Sequence, residues 1–256
     1  MWGMVRETAE RFCALVAQVP DPGARVPATP AWSVTDTFGH VAMEPGRYRA
    51  LALGGGTWPS RVSELPAFNA EQIRTLPTRE VGELAEILLR DVAAMVETVE
   101  GFGDAPRWMD FDGDQRVRCD RALGTLLGEF LVHGHDIATL ARRAWPIDPA
   151  HVPLVLAGLH QVMPGWVDPE RAAGHNAVYE MRLRGLGITY TYRFDDGAVA
   201  VDPEDAGSPD VVISADPVTA LLLNYRRTSP LRATLTGRVT AWGRRPWLAP
   251  GSYGRS

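Results

Sequence analysis

Two hydrophobic periods meet in this chain, and the change between them limits the folds open to it. Before Trp166 the apolar residues recur at three- and four-residue steps, the spacing of one buried helix face. After it they alternate with polar residues, the spacing of a half-buried strand. The first stripe, from Arg6 to Val19, uses Val5, Ala9, Phe12, Cys13, Val16 and Val19, and runs into PDPGARVPATP, which no helix continues. A second helix is predicted after Ser33, an N-cap with Asp36 three residues on to face the unpaired first-turn amides. Pro45 predicts a kink or break near Glu44, and Gly54-Gly55-Gly56 a mobile connection. A third helix is predicted over roughly 78–99, with Val81, Leu84, Leu88, Val92 and Val96 on one face. A fourth, over about 120–143, carries Leu123, Leu126, Leu127, Phe130, Ile137 and Leu140. Four such helices with short to medium connections predict an up-down bundle, with a shorter helix over about 151–163 after the WPIDP break.

Beyond Trp166, AVYEMRLRG, GITYTYRF and GAVAVDP alternate and are separated by Gly-Leu-Gly and Asp-Asp-Gly turns. DVVISA reads as another strand, ADPVTALLLNY as a helix opened by Asp-Pro, and ATLTGRVTAW as a final strand before the basic GRRPW. Strands followed by a helix predict a small α+β domain. The boundary is expected near residues 145–175, giving a helical bundle over 1–163 and an α+β domain over 164–256. A length of 256 residues accommodates two modest units. With 45% hydrophobic and 22% charged residues the chain is neither disordered nor a membrane bundle. A net charge of −5 gives nucleic acid no broad basic footprint. Cys13 and Cys119 form no CxxC pair, which excludes a zinc ribbon or a thioredoxin-like motif. The opening MWGMVRETAERFCALVAQVP lacks the unbroken apolar core of a secretory signal, so a cytoplasmic location is expected.

The residues that invite chemistry sit in the fourth helix. Glu129 and His133 are four apart and project from one face, with Asp136 three further on. A carboxylate and an imidazole among leucines are costly to bury without a partner, and a divalent cation such as zinc would supply one. A third ligand must come from another helix. His40, inward among Val34, Phe38, Val41 and Met43, is the best placed. A Glu–His pair at this spacing also occurs as a plain solvated or salt-bridged pair. Glu44, one turn after His40, reads either as a carboxylate orienting that imidazole or as an exposed salt-bridge partner. His135 points away from His133 and reads as an interfacial residue or one behind the ligands, while His151, His160 and His175 read as surface or core histidines without chemistry.

AWSVTDTFGH, a long gap, then LLGEFLVHGHDIA followed by WPI resembles the mycothiol-dependent maleylpyruvate isomerase family, within the wider DinB-like superfamily of metal-binding four-helix bundles. The resemblance implies a divalent metal, usually zinc, on His40, Glu129 and His133, with Asp136 tied to function. PAFNAE, around Asn69, resembles a family segment near the bundle cavity, and VVISADPVTALLLNY through TGRVTAWGRRPW a sterol-carrier-type domain. The implied activity is that of a metal-dependent thiol S-transferase or cis–trans isomerase. Its partners would be a small electrophilic substrate and a low-molecular-weight thiol, mycothiol in the family. A metal with an open position favours the thiolate, which attacks an electrophilic carbon, while Asp136 orients a ligand or handles a proton. Arg226, Arg227 and Arg238 are candidates to meet an acidic substrate. Two other readings stay open: a biosynthetic enzyme using the metal as a Lewis acid without thiol, and a non-catalytic binder of small apolar molecules. Neither a monomer nor a homodimer is excluded.

Overall fold

The computed structural model of the chain describes residues 2–111 and 115–251. Contacts divide it into two units: the chain up to Ile147 together with Ala157–Gln161, and Asp148–Leu156 together with the chain from Val162. The first unit is built on helices α1 (Gly3–Val16), α2 (Val34–Ala52), α3 (Leu65–Arg74), α4 (Val81–Gly101) and α5 (Cys119–Ala141). Two short hairpins accompany them, β1 (Arg25–Val26) with β2 (Thr29–Ser33), and β3 (Trp108–Phe111) with β4 (Gln115–Arg118). Both α1 and α2 pack against α4 and against α5, which makes the four-helix bundle.

The apolar stripes read from the sequence form its core. Phe12, Phe38, Leu84, Leu88, Leu123, Leu126, Leu127 and Phe130 are all fully buried. Phe12 meets Phe38 edge-on at 5.4 Å and stacks with Phe130 at 6.5 Å between ring centres. Each such contact contributes about 0.5–1.5 kcal/mol beyond the area it buries. Helix α1 ends three residues earlier than expected, because Val19 is held in a turn by its amide bond to Val16 O just before Pro20. No break occurs at Pro45: α2 continues through it to Ala52. The sequence reading also left α3 and both hairpins unassigned. Of its ten residues α3 buries only Gln72 and Ile73, too few to make a stripe, and the hairpin strands are two to five residues long.

Helix α6 (Val152–Trp166) contributes residues to both units. In the second unit α7 (Pro169–Ala172) leads into five strands: β5 (Ala177–Leu183), β6 (Ile188–Asp195), β7 (Ala198–Val201), β8 (Val211–Ala215) and β9 (Val239–Gly243). Their order in the sheet is β7-β6-β5-β8-β9, antiparallel except for the parallel pair β5–β8. Ala177, Tyr179, Met181 and Leu183 alternate inward along β5, as the period of two requires. Asp216 caps α8 (Pro217–Asn224) by accepting from Thr219 N at 2.9 Å. The expected strand over ATLTGRVTAW is only half right. Ser229 accepts from Arg232 N and caps a short α9 (Pro230–Leu235), Gly237 turns at φ 68°, and the strand begins at Val239. The basic GRRPW packs on its own unit, with Arg244 paired to Asp210 and Arg245 donating to Asn176 O. The whole is a helical N-terminal region followed by an α+β unit, and no helix among the described residues is long and apolar enough to cross a membrane.

Candidate metal centre

The site starts from the way α2 begins. Ser33 Oγ accepts from Asp36 N at 3.0 Å, and Asp36 Oδ2 accepts from Ser33 N at 2.9 Å, a reciprocal capping box. Helical phase then sets His40 on the inward face two turns later, and α5 presents Glu129 and His133 one turn apart. Glycines beside two of these residues admit close neighbours. A Cβ on Gly39 would stand 2.4 Å from Leu76 Cδ1, and one on Gly134 would stand 2.3 Å from Trp145 Cζ2. The Trp145 ring is held there by its Nε1, which donates to Leu131 O at 2.9 Å.

The three residues converge. Glu129 Oε2 lies 3.2 Å from His133 Nε2 and 3.8 Å from His40 Nε2, and one ligand atom from each residue lies within 4.8 Å of the other two. Each imidazole has a carboxylate at its other nitrogen. Glu44 Oε1 is 3.8 Å from His40 Nδ1, and Asp136 Oδ2 is 3.5 Å from His133 Nδ1. Both carboxylates are buried, so Glu44 is no exposed salt-bridge partner. Its Oε1 accepts from Arg47 Nη1 at 2.7 Å, and the same nitrogen donates to Gln72 Oε1 on α3. The Trp32 ring, at the end of β2, sits 5.0 Å from the His40 ring and 6.4 Å from that of His133.

The electrostatics separate the two histidines. Burial pushes His40 down to about 4, against the pull of Glu129. Burial acts the same way on His133, but Asp136 and Glu129 overcome it and lift the imidazole to about 9. Burial raises Glu44 to about 7 despite the Arg47 guanidinium.

The donor set fits a divalent cation. Two ligand atoms about 2.1 Å from a tetrahedral centre stand about 3.4 Å apart, and the separations of 3.2 and 3.8 Å bracket that spacing. Nitrogen and carboxylate donors suit zinc, and three protein ligands leave a position for a further molecule. A carboxylate lies near each Nδ1, although neither nitrogen makes a hydrogen bond among the described residues, and Nε2 of each ring is left facing the cluster.

The other predicted residues fall outside this cluster. Asn69 is half-buried on α3, one turn before Gln72, and His135 is half-buried on α5. His175 is buried in the second unit with its Nε2 2.9 Å from Tyr179 Oη. Arg226, Arg227 and Arg238 also belong to the second unit; Arg226 has φ 56° and Arg227 Nη1 donates to Tyr225 O. An apolar cavity of that unit lies on the inner face of the sheet, lined by Tyr179, Met181, Tyr192, Phe194 and Ile213. Sequence reasoning missed Trp32, Arg47 and Gln72. Arg47 carried a signal, three residues after Glu44 and seven after His40 on one helix face, whereas nothing local marks Gln72.

Fold and site define a class: a helical bundle with a two-histidine, one-carboxylate cluster, followed by an α+β unit. The model for the mycothiol maleylpyruvate isomerase N-terminal domain matches residues 5–138, and that for the SCP-2 sterol transfer family matches residues 159–243. The chain therefore belongs to the mycothiol maleylpyruvate isomerase N-terminal domain family, with a sterol-carrier-like C-terminal domain. Among solved structures, the crystal structure of the mycothiol-dependent maleylpyruvate isomerase is similar at 16% identity and a TM-score of 0.53, over 87% of this chain and 86% of that one. The crystal structure of a histidine-to-alanine mutant of that isomerase is 14% identical over the same shares, with a TM-score of 0.49. At these identities the likeness is one of fold. No curated protein matches the chain significantly.

Proposed function

We propose that the chain is a metal-dependent enzyme that turns a low-molecular-weight thiol of the mycothiol type on a small electrophilic substrate, with isomerisation or S-transfer as the outcome. The observation that carries this reading is the convergence of His40, Glu129 and His133, with a buried carboxylate behind each imidazole. Membership of a family named for a mycothiol-using isomerase supports the thiol. A divalent cation in this place, most naturally zinc, would favour the thiolate form of a thiol at neutral pH.

The chain's own residues supply the rest. His40 Nε2, Glu129 and His133 Nε2 hold the cation. Glu44 and Asp136 stand 3.8 and 3.5 Å from the two Nδ1 atoms, near enough to close on them once a cation draws Nε2 inward, so Asp136 acts by orienting a ligand. The Trp32 ring gives both imidazoles an apolar neighbour. A cytoplasmic location, expected from the sequence, would keep such a thiol reduced. One observation favours a second reading: the apolar cavity of the C-terminal unit suits a small apolar molecule, so binding without chemistry is the alternative.

The test is metal content. Protein purified without chelator should carry about one zinc or similar ion per chain, and Glu129→Ala should lose it. Thiol-dependent loss of absorbance from a conjugated electrophile would then establish the chemistry, and turnover without thiol would point to Lewis-acid use of the metal. A folded wild-type chain that takes up no divalent ion after reconstitution would overturn the metal reading.

A further inference from the structure

Behind the cluster, a largely buried polar chain runs from α2 to α3. Glu44 Oε1 lies 3.8 Å from His40 Nδ1, beyond hydrogen-bond distance, and Arg47 Nη1 donates both to that oxygen and to Gln72 Oε1. Glu44 is 3% exposed and Gln72 is 8% exposed, while Gln72 Nε2 has no hydrogen-bond partner among the described residues. An Arg–Glu pair three apart on a helix surface is common and contributes little. This one differs in having its carboxylate buried and its guanidinium half-buried, in sharing that guanidinium with a residue 25 positions away, and in standing directly behind a proposed ligand.

Resting on the metal reading above, we propose that Arg47 and Gln72 are positioning residues for His40: Gln72 on α3 braces the Arg47 guanidinium, and Arg47 holds the Glu44 carboxylate against His40 Nδ1. A planar guanidinium suits this task because its donors lie in fixed directions. Without it, Glu44 would be a buried carboxylate with no cation beside it, and it would turn away from His40. The His40 ring would then lose the partner that keeps Nε2 directed toward Glu129. The same chain gives α3, which buries little apolar surface, a defined contact with the bundle interior.

The experiment is a double-mutant cycle on the full chain, read by zinc affinity in competition with a chromophoric chelator and by the visible spectrum of the cobalt(II)-loaded protein. Arg47→Met and Glu44→Gln should each weaken zinc about 10–100-fold. If Arg47 acts through Glu44, the double variant should bind no worse than the weaker single. Arg47→Lys should recover part of the loss. Gln72→Met should shift the cobalt spectrum and lose less affinity than Arg47→Met. Losses that multiply in the double variant would overturn the proposal, as would a lowered melting temperature with zinc affinity and cobalt spectrum unchanged. Should Arg47→Met not fold, Gln72→Met carries the test, and wild-type affinity and spectrum there would also overturn it. A wild-type chain that binds, beside a Glu129→Ala chain that does not, confines any failure to Arg47 and Gln72. A wild-type chain that binds no metal removes the metal reading and this inference together.

Discussion

At the scale of single residues, the two imidazoles are made unequal by what stands behind them. His133 faces two carboxylates and is lifted to about 9, while burial takes His40 down to about 4. Near neutral pH the metal-free pair therefore holds one proton, on His133. A cation that takes Nε2 of His133 must displace that proton, so binding at pH 7 should release it to the buffer. Because the imidazole is protonated below about 9, affinity should fall as the pH drops from there, by roughly tenfold per unit. Calorimetry of zinc binding in buffers of different ionisation enthalpy checks both; a binding enthalpy independent of buffer would show that no proton leaves His133. Asp136→Asn should reduce the proton release, since Asp136 is one of the two carboxylates that raise His133.

At the scale of elements, α2 and α5 are held in phase by local devices. The Ser33–Asp36 box starts α2, and Ser33→Ala should destabilise the protein by about 1 kcal/mol, measured by urea unfolding. Burial alone would raise the Asp36 carboxyl, but bonds from Ser33 and the Arg79 guanidinium hold it below its ordinary value. Its folded pKa is thus lower than its unfolded one. Its contribution is complete above about pH 4 and is lost as pH falls through the folded value. The destabilisation caused by Asp36→Asn should shrink accordingly in acid, and one that grows there would contradict the assignment. On α5 a side chain at Gly134 would meet the Trp145 ring at 2.3 Å. Gly134→Ala should cost about 1–3 kcal/mol through overpacking, seen as a lower melting temperature.

At the scale of the whole molecule, α6 is divided. Ala157–Gln161 groups with the bundle, where Gln161 Oε1 accepts from Arg118 N at 2.7 Å and Gly158 lies against Thr125. Asp148–Leu156, with the fully buried Val152, Val155 and Leu156, groups with the α+β unit. Residues 1–163 alone should fold and keep the His40–Glu129–His133 cluster, since all three residues lie in the first unit. A fragment of residues 148–256 should be markedly more stable than one of 164–256, which lacks those three buried side chains. Denaturant unfolding of the two fragments decides it, and equal stability would refute the assignment of 148–156.

The helices of the bundle and most strands of the sheet were legible because each buries one regular face. A repeat of three to four residues in the first half, or of two in the second, is written directly in the order of apolar side chains. Glu129, His133 and Asp136 were legible for the same reason, as neighbours on one helix, and the Ser33 cap because its partner is three residues away. Only the tertiary structure decided what lies between elements. It brought His40 to 3.8 Å from Glu129 across 89 positions of chain, set Trp32 over both rings, and joined Gln72 to Arg47. It also carried α2 through Pro45 and turned ATL into α9, where a local breaker or strand former gave way to capping and packing. Local periodicity reports which face of an element is buried, but the neighbour across that face is chosen by packing. The convergence of His40, Glu129 and His133 depends on that choice.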